Sequence, residues 1–227
     1  MCNFKSALFL KNGDMVESEH TDSHESLILS AELRDNSEFF QYFVRVELNP
    51  PEDLNNISDI KKWRFKVDQL DTPDWWSKIK NNCEEKLRTK VSKMILVNEK
   101  KNILLGGTWI LVNSNIQEVH NSRIISIHGT SVINTMRDSS KVDTMWDSSE
   151  VNAMWDSSEV NAMRDSSEVN AMRDSSKVNV MYNSSKVNAM RDSSKVDTMF
   201  DSSQIGTMRD SSQIDTMRDS SKVLKNN

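Results

Sequence analysis

Met163-Arg164-Asp165-Ser166-Ser167-Glu168-Val169-Asn170-Ala171, followed without a gap by Met172-Arg173-Asp174-Ser175-Ser176-Lys177-Val178-Asn179-Val180, is one nine-residue phrase written twice. Met reopens it at 136, 145, 154, 163, 172, 181, 190, 199, 208 and 217, and Val or Ile follows six residues after each Met, from Val142 to Val223. A fixed short period implies stacked units that contact only their neighbours. Counting Met as slot 1, the invariant slots are Met, the two Ser of slots 4 and 5, and Val/Ile of slot 7. Slot 2 instead exchanges charge for large rings: Arg137, Trp146, Trp155, Arg164, Arg173, Tyr182, Arg191, Phe200, Arg209 and Arg218. Such exchange is tolerated only where a side chain is not held in a fixed cavity, so slot 2 is expected at the surface, as is slot 6, which changes sign.

The period decides between helix and strand. Nine residues make about two and a half turns of α-helix, so Met and Val would change faces at every unit. An uninterrupted strand fails too, because an odd period inverts its faces. A short strand and a tight turn per unit satisfies the pattern, with Lys141 to Met145 as strand and Asp147-Ser148-Ser149 as corner. Asp and Ser bonding their own backbone would supply that corner without glycine. Two units then close an 18-residue coil, stacked at ~4.8 Å per coil as strands in a sheet are. The expected fold is an α+β N-terminal domain followed by a β-solenoid of nine-residue half-coils.

Degenerate units precede the regular ones. Ser131 and Ile133 occupy slots 5 and 7, Ser122 and Ile124 repeat that spacing, and Ser114 and Ile116 hold it one residue out of phase. This places the head domain at 1–108, the solenoid at 109–223 (degenerate at 109–135, regular at 136–223) and a polar tail at 224–227. With no cap evident, an open strand edge suits end-to-end stacking on a second copy. In the head, residues 3–10 and 15–19 read as strands around the Asn12-Gly13 turn, and Asp22-Ser23-His24-Glu25 opens a short helix in capping-box fashion. Strands are expected at 40–48, 63–67 and 103–112. After Thr72-Pro73, the spacing of Trp76, Ile79, Cys83, Leu87, Val91 and Met94 is the stripe of an amphipathic helix.

Net charge is −5, which argues against direct nucleic-acid binding, and two Cys are too few to staple a secreted fold. No apolar run reaches the ~18 residues of a spanning helix, so no membrane role and a cytoplasmic setting are expected. His20, Asp22, His24 and Glu25 lie close enough to suggest metal or acid-base chemistry, but a helix start between them and the lack of an HExxH or CxxC pattern favour capping. Trp75, beside Trp76, is a weak binding candidate, and Cys83 reads as packing. Repeats such as Arg173-Asp174-Ser175-Ser176-Lys177 resemble the calcium-binding β-roll in unit length but lack its Gly-Gly-x-Gly-x-Asp signature, so no calcium is expected. Slot 9 alternates among Thr144, Ala153, Val180 and Thr198, which gives no continuous Thr ladder. No metal or cofactor is therefore expected. The strongest candidate surface is a single ridge of the slot-2 residues; the plain alternative is that duplication filled slot 2 with whatever stays soluble.

The strings CNFKSALFLKNGDMV, TDSHESLI, FVRVELNPPED and WRFKVDQLDTPDWW, over roughly residues 1–96, resemble a family of small phage and bacterial proteins in which such a head precedes short β-helical repeats. The repeat half is similar to Ser-Ser-x-Val-x-x-Met arrays and, loosely, to pentapeptide repeats, though its period of nine departs from five. The resemblance implies a phage- or mobile-element-borne protein and no particular activity. Three functions follow as expectations. The first is a non-enzymatic scaffold presenting the solenoid surface to a macromolecular partner, a protein above all. The second is an acidic β-helix decoy of a nucleic-acid enzyme. The third is an enzyme in the head using His24 with Glu25, Asp22 or Asp14.

Overall fold

A computed structural model describes residues 5–18, 23–34 and 41–226. The chain divides into two compact units, Met1–Met94 and Ile95–Asn227. The second is the β-solenoid. Its strands are β5 (Ile95–Val97), β6 (Lys100–Leu105), β7 (Thr108–Val112), β8 (Asn115–His120), β9 (Arg123–His128) and β10 (Val132–Arg137), then one per regular unit from β11 (Lys141–Met145) to β20 (Lys222–Asn226). Even-numbered strands form one eight-stranded parallel sheet and odd-numbered strands the other. Successive units therefore alternate between two walls, and each residue lies beside its counterpart 18 positions on, as Val142 beside Val160 and Met145 beside Met163.

The solenoid begins at Ile95, not near 109. Its first strands lack the repeat signature because Lys101 stands in the Val slot, opposite Ile116, while Leu104 and Val119 fill the Met slot opposite Met136. The single strand expected over 103–112 is broken at Gly106 and Gly107, whose φ of 67° and 79° turn a corner. At the other end residues 224–226 are strand rather than tail, pairing Lys225 with Thr207.

Slots 1 and 7 both point inward. Val151, Met154, Val160, Met163, Val169 and Met172 are 0 % exposed, within one continuous apolar core. Two residues three apart face opposite sides of a flat strand, so the chain must bend between them. The Cα register runs through slots 6, 7, 9 and 1 and skips slot 8 (Lys141↔Glu159, Val142↔Val160, Thr144↔Ala162, Met145↔Met163), which places the bend there. The two Ser divide: slot 4 is exposed, whereas slot 5 (Ser140, Ser149, Ser158, Ser167) is wholly buried. Slot-5 N–H groups donate to the slot-2 carbonyl and close the turn, as Ser167 to Arg164 at 3.1 Å.

The corners hold the coils in step. Every slot-3 residue from Asp138 to Asp219 is left-handed, with φ between 54° and 60°. This conformation is costly for most side chains and tolerable for Asp and Asn. The slot-3 side chain does not bond its own backbone; it reaches back one coil and accepts the corner N–H there. Asp156 Oδ2 takes the Asp138 N–H at 3.1 Å, Asp165 Oδ2 the Asp147 N–H at 3.2 Å and Asn183 Oδ1 the Asp165 N–H at 3.1 Å. Slots 2, 4 and 6 donate to the preceding coil's carbonyls (Arg164 to Met145, Ser166 to Asp147, Glu159 to Ser140). Polar backbone thus stays paired around the turn, as a compact coil requires. At Gly129 (φ 65°) the same corner is so tight that a Cβ would sit 2.1 Å from Asn113 Oδ1.

The first unit is α+β. Strands β1 (Lys5–Leu10), β2 (Met15–Val16), β3 (Phe43–Asn49) and β4 (Arg64–Val67) form an antiparallel sheet in the order β2-β1-β3-β4. Helix α1 (His24–Ser30) is capped by Ser23, whose side chain accepts the Ser26 N–H; Asp22 lies outside the described residues. Leu27 and Ile28 pack with Leu8 and Phe43 on one face. Helix α2 (Trp76–Ser92) buries Trp76, Cys83, Leu87 and Val91, with Trp76 against Phe9 at 6.4 Å between rings on the other face. The helix starts three residues after Pro73, whose carbonyl accepts the Trp76 N–H.

Excising residues 150–167 joins Ser149 to Glu168 in unbroken slot order, and circular dichroism is expected to show a cooperatively melting β-structure that is one coil shorter. Met163→Ala, which opens a cavity in the core, should instead lower the unfolding free energy by about 2–5 kcal/mol in denaturant titration.

Candidate functional sites

The slot-2 residues do not form one ridge. Because a coil holds two units, they separate into two columns, one at each turn of the coil. His120, paired with Arg137, heads a column that continues through Trp155, Arg173, Arg191 and Arg209. His128, stacked on Trp146 at 6.3 Å with an interplanar angle of 5°, heads the other, which continues through Arg164, Tyr182, Phe200 and Arg218. Nor are they loose. Arg164 is held between Trp146 and Tyr182, with its guanidinium carbon 5.1 Å and 4.7 Å from the two ring centroids. Trp155 is held between Arg137 and Arg173 at 5.3 Å and 4.8 Å, Tyr182 and Phe200 stack at 5.3 Å, and Arg218 lies over Phe200. Charge and ring interchange here because guanidinium and aromatic groups are both flat and each stacks on the other. From Arg137 to Phe200 the slot is half-buried between its own neighbours, which no single unit of sequence reveals, and Arg209 and Arg218 are exposed.

Slots 8 and 3 each build a column on both sides of the coil, which no single unit of sequence reveals. Slot 8, at the strand bend, carries an amide ladder on one wall: Asn152 donates to Asn134 at 2.8 Å, Asn170 to Asn152 at 2.7 Å and Asn188 to Asn170 at 2.7 Å. On the other wall Asn179 donates to Asn161 at 2.8 Å, and farther along Asp197 and Asp215 accept lysines, Lys177 at 2.6 Å and Lys195 at 2.7 Å. Slot 3 makes a file of carboxylates at each corner, interrupted at Asn183. The recurrence of Asn or Asp at slots 3 and 8 was the available signal; which atoms it serves emerges only when coils are stacked.

The two histidines that head the slot-2 columns are tuned in opposite directions. His120 is raised above its usual pKa by hydrogen bonds to Glu118 (Nε2 to Oε2, 3.0 Å) and Asp138 (Nδ1 to Oδ2, 2.8 Å). His128 is lowered by burial, which the nearby Asp147 charge only partly offsets.

In the head, the candidate grouping is rearranged. Glu25 is exposed and accepts the Ser23 hydroxyl at 2.7 Å, and that bond chiefly lowers its pKa. Asp14 serves the hairpin turn, accepting from Asn12 at 2.6 Å. Trp75 donates its indole N–H to Gln41 O at 2.6 Å and meets Trp76 edge-on, so it is tied down rather than presented. His24 is 3 % exposed and turns toward the sheet. Its Nε2 lies 3.0 Å from Val46 O and its Nδ1 3.4 Å from Asp68 Oδ2. Ligand atoms of His24, Glu47 and Asp68 all fall within 4.8 Å of one another. Glu47 and Asp68 are far from His24 in sequence, and β3, β4 and the start of α1 bring them together. Cys83 is buried, and burial pushes its thiol pKa up, which suits packing rather than nucleophilic attack. Among the described residues no helix is long and apolar enough to cross a membrane.

Arg164→Ala removes two cation–π contacts and should cost about 1–2 kcal/mol in denaturant titration, whereas Arg191→Ala, between two other arginines, should change stability by less than about 0.5 kcal/mol. NMR titration should place His120 above the ordinary pKa of about 6.5 and His128 below it. The His120 contribution to stability is then complete below that ordinary value and lost as pH rises through its folded pKa; the His128 contribution is present above it and lost as pH falls through its folded pKa. Asp138→Asn should bring His120 back toward the ordinary value. Compared with protein-family models, with curated proteins and with solved structures, the chain shows no match.

Proposed function

We propose that the chain is a non-enzymatic scaffold whose solenoid presents a repeated surface to a macromolecular partner, a protein. The observation that carries this reading is the pair of slot-2 columns, where arginines and aromatic rings recur coil after coil on a framework fixed by its own hydrogen bonds. Arg and aromatic side chains are those that anchor protein interfaces, and their internal stacking reduces the ordering cost of binding. The run Arg173, Arg191 and Arg209 adds a cationic stretch suited to an acidic segment of that partner. Carriage on a phage or mobile element is part of the proposal and rests on the resemblance of the head and repeats alone.

The decoy reading has one observation in its favour, the files of slot-3 carboxylates at the corners. The arginines adjoining those files in slot 2 offset the negative field that such mimicry needs.

The test is site-specific photo-crosslinking in the cell of origin. A crosslinker in place of Arg191 or Arg209 should capture one and the same protein, and one in place of Glu168 or Lys186, on the flat walls, should not. Equal capture from walls and corners would overturn the reading, and capture of a nucleic-acid enzyme would favour the decoy.

A further inference from the structure

The face of the head sheet beneath α1 is unexpectedly polar. Ser6, Glu47 and Asn49 are all at most 5 % exposed, as is His24. Ser6 is the direct cross-strand partner of Glu47, so the two side chains share a face with Cβ atoms about 5 Å apart. Lys66 is in turn the partner of Glu47 on β4, which puts Lys66 and Asp68 on that same face. Ser6 Oγ and Asn49 Oδ1 are buried without a hydrogen-bond partner among the described residues. Burying such groups unpaired costs about 1–3 kcal/mol each, which calls for an explanation.

The histidine points to one. A carbonyl only accepts, so Nε2, at 3.0 Å from Val46 O, carries the ring proton. In the neutral ring Nδ1 then directs its lone pair at the Asp68 carboxylate, 3.4 Å away. A cation placed between them would satisfy both acceptors. A backbone carbonyl holding the far nitrogen is also the usual arrangement behind a metal-bound imidazole. The separation of 3.4 Å is long for a hydrogen bond but close to the edge of a tetrahedron built from metal–ligand bonds of about 2.0–2.1 Å, roughly 3.3 Å. Two cations adjoin the carboxylates: Arg45 on β3, whose charge acts on Asp68, and Lys66, whose Nζ is 2.7 Å from Asp68 Oδ1 and 3.8 Å from Glu47 Oε2 and whose side chain is half exposed, free to swing out.

We propose that His24, Glu47 and Asp68 form a binding site for a divalent first-row transition ion of the zinc class, with His24 Nδ1 and one oxygen of each carboxylate as ligands and Lys66 as the resident cation that the ion displaces. An imidazole with two carboxylates suits zinc better than calcium, which takes six to eight oxygens. This site is independent of the solenoid surface.

The full chain, stripped with chelator, is titrated with Zn²⁺ by competition calorimetry, and Co²⁺ is added as a spectroscopic reporter. One ion per chain is expected, with the visible bands of low-coordinate Co²⁺. Asp68→Asn should weaken binding about tenfold or more, and Lys66→Met should tighten it. His24→Ala should abolish the Co²⁺ bands, and His120→Ala should leave them unchanged. If His24→Ala unfolds, the opposite effects of Asp68→Asn and Lys66→Met decide the matter. No stoichiometric ion, a Co²⁺ spectrum equal to that of the aqueous ion, or identical affinity in Asp68→Asn and Lys66→Met would each overturn the site and leave a proton as the cation beside Nδ1.

Discussion

One hydrogen bond, from the corner N–H of each regular coil to the Asp or Asn side chain of the next, constrains everything else in the solenoid. It demands a residue that accepts a left-handed backbone, carries an acceptor two bonds beyond Cβ and recurs at every corner. Asp and Asn alone meet all three conditions, and slot 3 contains nothing else in the regular units. The arrangement files like charges at coil spacing, which costs about 0.9 kcal/mol per neighbouring pair in a water-like medium. A hydrogen bond to a charged acceptor contributes about 1.5–3 kcal/mol, so the carboxylate file is net favourable, and the arginines of slot 2 reduce the repulsion further. The corner also sets the turn, the turn sets the entry of the next strand, and the strand carries Val and Met inward.

The period made the solenoid legible, since nine residues fit neither a helical stripe nor an alternating strand. Inward Val followed from its invariance. Invariance marked Met for the interior as well, but its spacing from Val violates the two-residue rule of strands and left its direction open; the bend at slot 8 turns it inward. The start of the solenoid was hidden for a related reason: Lys101 and Leu104 stand in the Val and Met slots, where the regular repeat never places Lys or Leu. What a coil requires is an inward apolar side chain and a left-handed corner, and Asn98, Asn113, Asn121, Gly106 and Gly129 supply the latter without spelling the motif.

Sites were harder to read than the fold because their partners lie 18 residues away or on another strand. Slot 2 looked permissive when compared unit by unit, yet Arg164 between two rings and Trp155 between two guanidinium groups show that its variation is correlated along each column. In the head, proximity in sequence favoured Asp22 and Glu25 as companions of His24. Asp22 lies outside the described residues and Glu25 turns to Ser23, while the antiparallel register aligns Ser6, Glu47 and Lys66 across three strands and the helix-opening His24 lies beside Asp68 and Glu47. Capping explained the helix start correctly in kind, with Ser23 in the role, but said nothing of which way His24 would face.

The sameness of the regular coils has a kinetic consequence. Between Lys141 and Met208 a strand that pairs with the wrong turn of the coil finds Val against Val and Met against Met, so a slip of 18 residues loses little of the core and no corner bond except at its ends. Reference points exist where identity breaks down: at Gly129 seated on Asn113, at the histidines of β8 and β9, at the amide of Asn183, at Gly206 against Asn188 and in the stacked rings and guanidinium groups of slot 2. A chain that stacks outward from those irregular coils counts its turns correctly; one that nucleates in the middle can close with a coil looped out and held there.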